Sequence, residues 1–357
     1  ILNRVITWND WGIGYEADQR HAELVMRDLG LDTAKAVSTP GSKDDTNRAL
    51  DANGYDFTLK DELTTAKIAE EATVSSHSEG VELKGAEATK FRGLSARLNY
   101  LAQDRPDIRY ACKEASRRMA RPFEGDWILL KRIGRYLKGT PRVVQRFEWQ
   151  EESGKFDTFV DSDWAGCKPT CKSTSGGTTM LGRHCISAWS STQGVIALSS
   201  GEAELCAMLK GATMTIGFIS LAADFGRNLQ GKVHSDASAA IAIVNRSGVG
   251  KLRHIRVQYL WLQQRVRDKD IVVQKVAGTE NPADLMTKHL SYDVMAKHVE
   301  KLYFNLNTDR AKSAPKLDIV SGVNVLAAAP AVSACDVDIA WGERISRQHV
   351  KPRKALF

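Results

Sequence analysis

Several features that would place this chain outside the cell or within a membrane are missing. The six cysteines (Cys112, Cys167, Cys171, Cys185, Cys206 and Cys335) form no Cys-x-x-Cys pair and no regular framework. That argues against a disulfide scaffold and fits free thiols in a reducing compartment. Cys167, Cys171, His184 and Cys185 are the nearest approach to a zinc set, but an adjacent His and Cys in an extended segment are awkward ligands. No apolar run approaches the roughly 18 residues of a membrane span, and no signal peptide is visible. No internal repeat is found, which excludes a solenoid. The first residue is Ile rather than Met, so the chain reads as a piece of something longer.

What is present describes a soluble globular protein. The 357 residues are 43% apolar and 26% charged, enough for two or three domains. The net charge of +7 and pI near 9.0 favour a polyanionic partner. Composition divides the chain at several points. Residues 1–45 are mixed and end near the stop signal "STPGS". Residues 46–90 are polar and read as a linker, an insertion or a weak helix. Residues 91–150 carry helical patterns, with Trp127, Leu130, Ile133 and Leu137 on one face and Lys131, Arg132 and Arg135 free to meet a duplex. Residues 151–291 alternate strand and helix signals. Residues 292–357 read as a helix and a loosely ordered tail.

The candidates for chemistry all fall between 155 and 290. "FDTFVD", "STSGGTTMLG" and "RHCISAWSS" read as three short strands with glycine punctuation. "SSGE", Ser199 to Glu202, has the form of a capping box and opens a helix with Leu205, Leu209, Ala212, Ile216 and Ile219 on its buried face. "KVHSD" is another strand. "NPADLMTKHL" starts a helix with Asn281 as cap and Pro282 at its first position. Antiparallel strands followed by alternating helix and strand predict a mixed sheet covered by helices. Four acids stand at comparable places: Asp161 and Asp236 at strand ends, Glu204 and Asp284 in first helical turns. Each has an ordinary account, since Asp favours turns and acids suit helix N-termini. Asp163 competes with Asp161, and Glu202 with Glu204, because both glutamates flank the buried face. Trp164 reads as a packing residue.

Six motifs in order, "FVDSDWAGC", "KSTSGG", "WSSTQGVIALSSGEAEL", "HSDASAA", "GKLRHI" and "NPADLMTKHL", resemble the ribonuclease H domain of copia-type LTR retrotransposon Pol polyproteins. Upstream, "FRGLSARLNYLAQDRPDIRYACKEASRRMARP" and "LLKRIGRYLKGTPR" look like that family's connection segment. "GIGYEADQRHAELVMRDLGL" looks like the end of its reverse transcriptase. The resemblance implies an α/β fold, a ribonuclease H-like mixed five-stranded sheet flanked by helices and preceded by a helical connection segment. It implies a metal-dependent endonuclease acting on RNA–DNA hybrids, with Asp161, Glu204, Asp236 and Asp284 as catalytic residues holding two Mg²⁺ ions, or Mn²⁺ in their place. Lys251, Arg253, His254 and Arg256 are the implied substrate contacts, His254 being half of a His-Ile pair the family keeps. The implied partners are the hybrid and the reverse transcriptase portion of the parent polyprotein, with no membrane. The implied setting is intracellular, in cytoplasmic particles of the element or in the nucleus.

Two departures stand beside this. The polymerase's paired-aspartate motif is missing, because "DD" occurs only at Asp44 and Asp45 in polar sequence. Residues 46–90 have no clear family counterpart. A catalytically inactive nucleic-acid-binding connector from a decayed element is therefore the alternative.

Overall fold

A hairpin opens the computed structural model, which describes residues 3–53, 80–248 and 258–317. Its strands are β1 (Val5–Asn9) and β2 (Gly12–Glu16), followed by α1 (Arg20–Asp28) and α2 (Lys43–Ala52). Ser42 caps α2 by accepting the Asp45 N–H, so an ordered helix reaches into the polar stretch that begins at 46. Three helices follow: α3 (Gly85–Leu101), α4 (Pro106–Ser116) and α5 (Trp127–Gly139). Pro106 starts α4, where its missing N–H costs no helical bond. Phe91, Leu98, Ile108, Leu130, Ile133 and Leu137 form the centre of a shared core.

The segment 91–150 is not helical to its end. Residues Arg142–Glu148 form β3, paired antiparallel with β2. Pro141 breaks the helical run, and the β-branched pair Val143–Val144 behind it suits extended backbone. The basic face of α5 also differs from expectation. Arg132 bonds the Thr39 carbonyl and hydroxyl and Asp45, and Arg135 bonds the Lys35 carbonyl. Both guanidiniums fasten the 35–45 segment instead of standing open to a duplex.

The second sheet is built from β4 (Lys155–Asp163), β5 (Thr174–Leu181), β6 (His184–Thr192), then, after α6 (Ser200–Asp224), β7 (Gln230–Ser235). After α7 (Ser238–Asn245) and α8 (Gln258–Arg267) comes β8 (Val272–Lys275). A 3-10 helix (Pro282–Met286), α9 (Tyr292–Lys301) and β9 (Phe304–Asn307) complete the described chain. The strand order is β6-β5-β4-β7-β8. β4 pairs antiparallel with β5 and β5 with β6, whereas β4–β7 and β7–β8 are parallel. This is the mixed five-stranded sheet of the ribonuclease H-like fold. The 281–286 stretch is a 3-10 helix and not an α-helix; Asn281 still caps it by accepting the Ala283 N–H. β9 leaves this region and pairs with β3, so the first sheet runs β1-β2-β3-β9.

Helix α6 corrects one expectation. By its 25 residues and mean hydropathy of 1.6 it is long and apolar enough to cross a membrane. Here it is a core helix, with Leu205, Met208 and Ala212 packed on Val160 and Val233. Its close approach to β4 depends on Gly211, where a methyl group would run into Val160 Cγ1. Gly211→Ala should therefore destabilise the protein by about 1–3 kcal/mol through overpacking, despite the gain of about 1 kcal/mol that Ala normally brings to a helix. Urea denaturation checks this; an unchanged or higher midpoint would show that the helix can back away freely.

Candidate metal centre

β4 positions the site by having different neighbours along its two edges. Its parallel pairing with β7 ends at Phe159–His234. Its antiparallel pairing with β5 continues through Asp161–Gly176 to Asp163–Thr174. The strand thus runs two residues past Asp161, which is not its last residue as the sequence implied. From Val160 onward the β7 side of the strand is open, and Asn281 enters there to donate to the Val160 carbonyl at 2.9 Å. Gly176, opposite Asp161, leaves room for the 3-10 helix, because a Cβ there would strike Met286 and Thr287.

Three of the four expected acids meet at this opening. Asp161, Glu204 and Asp236 each offer a carboxylate oxygen within 4.8 Å of the others, and no other such His/Cys/Asp/Glu group occurs among the described residues. Asp161 accepts a hydrogen bond from the Thr287 hydroxyl. Glu204 lies in the second turn of α6, where its Oε1 accepts both the N–H and the O–H of Ser162, at 3.1 and 2.9 Å. Its Oε2 is buried with no hydrogen-bond partner. Asp236 follows the last residue of β7.

The competing acids have other work. Glu202 accepts the Leu198 N–H at 2.8 Å while Ser199 accepts the Glu202 N–H, so the cap reaches one residue further back than a capping box. Asp163 stands outside the cluster, and its carboxyl is raised by burial. Asp284 lies beside the three acids, joined through Lys288, whose Nζ is 3.0 Å from Asp284 Oδ1 and 3.5 Å from Asp161 Oδ2. Lys251, Arg253, His254 and Arg256 lie outside the described residues. The zinc set does not assemble: His184 is engaged by the Glu148 carbonyl and Gln150, and Cys185 by Thr178. Trp164 is 51% exposed, with its indole N–H on the Ala197 carbonyl, so it packs at only one edge.

Sequence reasoning missed Lys288, Thr287 and Ser162. A signal for Lys288 existed, since an Asp four residues before a Lys places opposite charges on one helical face.

Crowding shows in the acidities. Burial, opposed by Lys288 and reinforced by Asp284 and Asp236, pushes Asp161 up to about 6. Burial and the Asp161 charge push Glu204 up to about 8. An acid whose folded value is raised holds its proton longer when folded, so its contribution to stability is full below its ordinary value and is lost as pH rises through the folded value. With chelator present, wild type should lose thermal stability between about pH 4.5 and 8 relative to Glu204→Gln. Melting curves of the two proteins across that range test it; parallel pH profiles would refute the crowding.

Sheet and acid cluster together define a ribonuclease H-like domain with a carboxylate site at the opening between β4 and β7. No protein-family model matches the chain. It is 32% identical over 217 residues to the retrovirus-related Pol polyprotein from transposon RE1 of Arabidopsis thaliana, covering 60% of this chain and 15% of that one. It is 27% identical over 275 residues to the retrovirus-related Pol polyprotein from transposon TNT 1-94 of Nicotiana tabacum, covering 76% and 19%. Among solved structures it is similar to RNase H1 from the halophilic archaeon Halobacterium salinarum NRC-1, at 17% identity and a TM-score of 0.27, covering 38% of this chain and 95% of that one. Its relatives are thus retrovirus-related Pol polyproteins of plant copia-type transposons. It spans less than a fifth of the length of either Pol relative.

Proposed function

We propose that this domain is a metal-dependent nuclease that hydrolyses the RNA strand of RNA–DNA hybrids during reverse transcription by its parent polyprotein. The observation that carries this reading is the convergence of Asp161, Glu204 and Asp236, with one Glu204 oxygen, Oε2, buried and unpartnered. Like charges drawn together out of water repel, and a divalent cation removes that penalty. Hard carboxylate oxygens suit Mg²⁺, or Mn²⁺ in its place. Asp161, Glu204, Asp236 and Asp284 would hold two such ions, which when bound supply an activated water and charge stabilisation at the leaving oxygen.

The surrounding residues fix the ligands. Ser162 holds Glu204 by two hydrogen bonds, and Thr287 holds Asp161. Asn281 ties the 3-10 helix bearing Asp284 to β4. The RNA strand would be selected through 2′-hydroxyls and hybrid shape and not through base sequence. Phosphate contacts fall to Lys251, Arg253, His254 and Arg256.

Incubation of the protein with an end-labelled RNA–DNA hybrid tests the proposal. RNA-strand cleavage is expected with Mg²⁺, is absent with chelator, and leaves a DNA duplex intact. Hybrid binding without cleavage in either Mg²⁺ or Mn²⁺ would overturn it and favour the inactive connector.

A further inference from the structure

The acid site is unevenly neutralised. Asp161, Glu204 and Asp236 bring carboxylate oxygens together, and Glu204, more than nine-tenths buried, keeps its Oε2 without a hydrogen-bond partner. Between Asp161 and Asp284 a cation is already present, the Lys288 ammonium at 3.5 and 3.0 Å. Lys288 lies just beyond the 3-10 helix, its backbone N–H on the Asp284 carbonyl. Its side chain is 40% exposed, so the ammonium has a route to solvent.

We propose that Lys288 is a resident cation that excludes metal from the gap between Asp161 and Asp284 until it swings outward. This rests on the metal-nuclease reading and adds an order of loading. A divalent ion bound by both carboxylates needs their oxygens at about 2 Å, which leaves no room for an ammonium in the same gap. Among the described residues no cation side chain stands at the position formed by Asp161, Glu204 and Asp236, so it fills first. The Asp161–Asp284 position fills at higher metal concentration, or when an incoming phosphate draws the ammonium away. An ordinary surface ion pair between residues four apart would touch Asp284 alone. Lys288 instead also reaches Asp161, which three other groups in the site already crowd.

Calorimetric titration of Mn²⁺ into wild type, Lys288→Met and Lys288→Arg tests the proposal without any cleavage assay. Wild type should show one strong event and a second much weaker one. Lys288→Met, close in volume but uncharged, should strengthen the second event by about tenfold or more and the first by much less. Lys288→Arg should keep the second event weak. Acetylation of Lys288, read by peptide mapping, should quicken in wild type as the second event saturates. Equal strengthening of both events in Lys288→Met, or two strong events in wild type, would overturn the resident-cation role while leaving the metal site standing. Absence of any Mn²⁺ binding to all three proteins would instead remove the metal-nuclease reading itself.

Discussion

Replacing Arg105 with Ala should destabilise the folded protein by about 3–5 kcal/mol, the range expected when one partner of a buried ion pair is removed. Both side chains of the Arg105–Asp107 pair are essentially closed to solvent. The guanidinium donates to both Asp107 oxygens, at 2.9 and 2.7 Å, and to the Thr140 carbonyl at 3.0 Å. Asp107 also accepts the Tyr136 O–H at 2.8 Å. The network therefore fastens the start of α4 to the end of α5 and the turn that leads into β3. Truncating Arg105 leaves a buried carboxylate with one donor and takes a donor from the Thr140 and Pro141 carbonyls. Asp107→Ala strands the guanidinium in the same way and should cost a similar amount. The double variant removes both charges, so its cost should fall well short of the sum of the two. Urea denaturation of the three proteins decides it. A loss below about 1 kcal/mol for Arg105→Ala would mean that water replaces the lost partner at no penalty.

The ion pair also illustrates what the sequence conceals. Arg105 and Asp107 look like ordinary polar residues ahead of a helix. Only packing of Tyr136 and the 140–141 turn, some 30 residues on, makes them buried. The same holds for Arg132 and Arg135, which read as a basic face until the 35–45 segment folds over them. Strand β9, "FNLN", is too short to announce itself, and its pairing partner in β3 lies more than 150 residues away. The acid positions were legible for a local reason. Strand-like runs that lead straight into Asp, as at Val160–Asp161 and Ser235–Asp236, are visible without tertiary context. Choosing Glu204 over Glu202 by residue pattern alone was not possible. That distinction depends on Leu198 turning its N–H toward Glu202 while Ser162 takes up Glu204. Lys288 was readable as the partner of Asp284, but its reach to Asp161 required the fold.

Asp236→Asn should lower hybrid cleavage on the order of 10³-fold or more, as loss of a group acting within a catalytic set does, while hybrid affinity stays the same or rises. The amide keeps the side chain's shape and removes one negative charge, which weakens metal retention and eases the approach of phosphate. A second consequence separates this from a structural role. The Asp236 charge contributes to raising both Asp161 and Glu204, so its removal should relieve repulsion between carboxylates in the metal-free protein. With chelator at pH 8, Asp236→Asn should therefore melt no lower than wild type, and preferably higher. A structural aspartate would behave oppositely, losing stability together with binding when its hydrogen bonds are altered. Cleavage, hybrid binding and melting should be measured on both proteins with Mg²⁺ and with Ca²⁺, whose larger shell and looser geometry support binding more readily than precise alignment. Wild type that cuts only with Mg²⁺, beside a stable, binding and inert variant, is the expected pattern. Equal cleavage by the two proteins would remove Asp236 from the site. An Asp236→Asn protein that melts far below wild type would assign the residue to the fold instead of the chemistry.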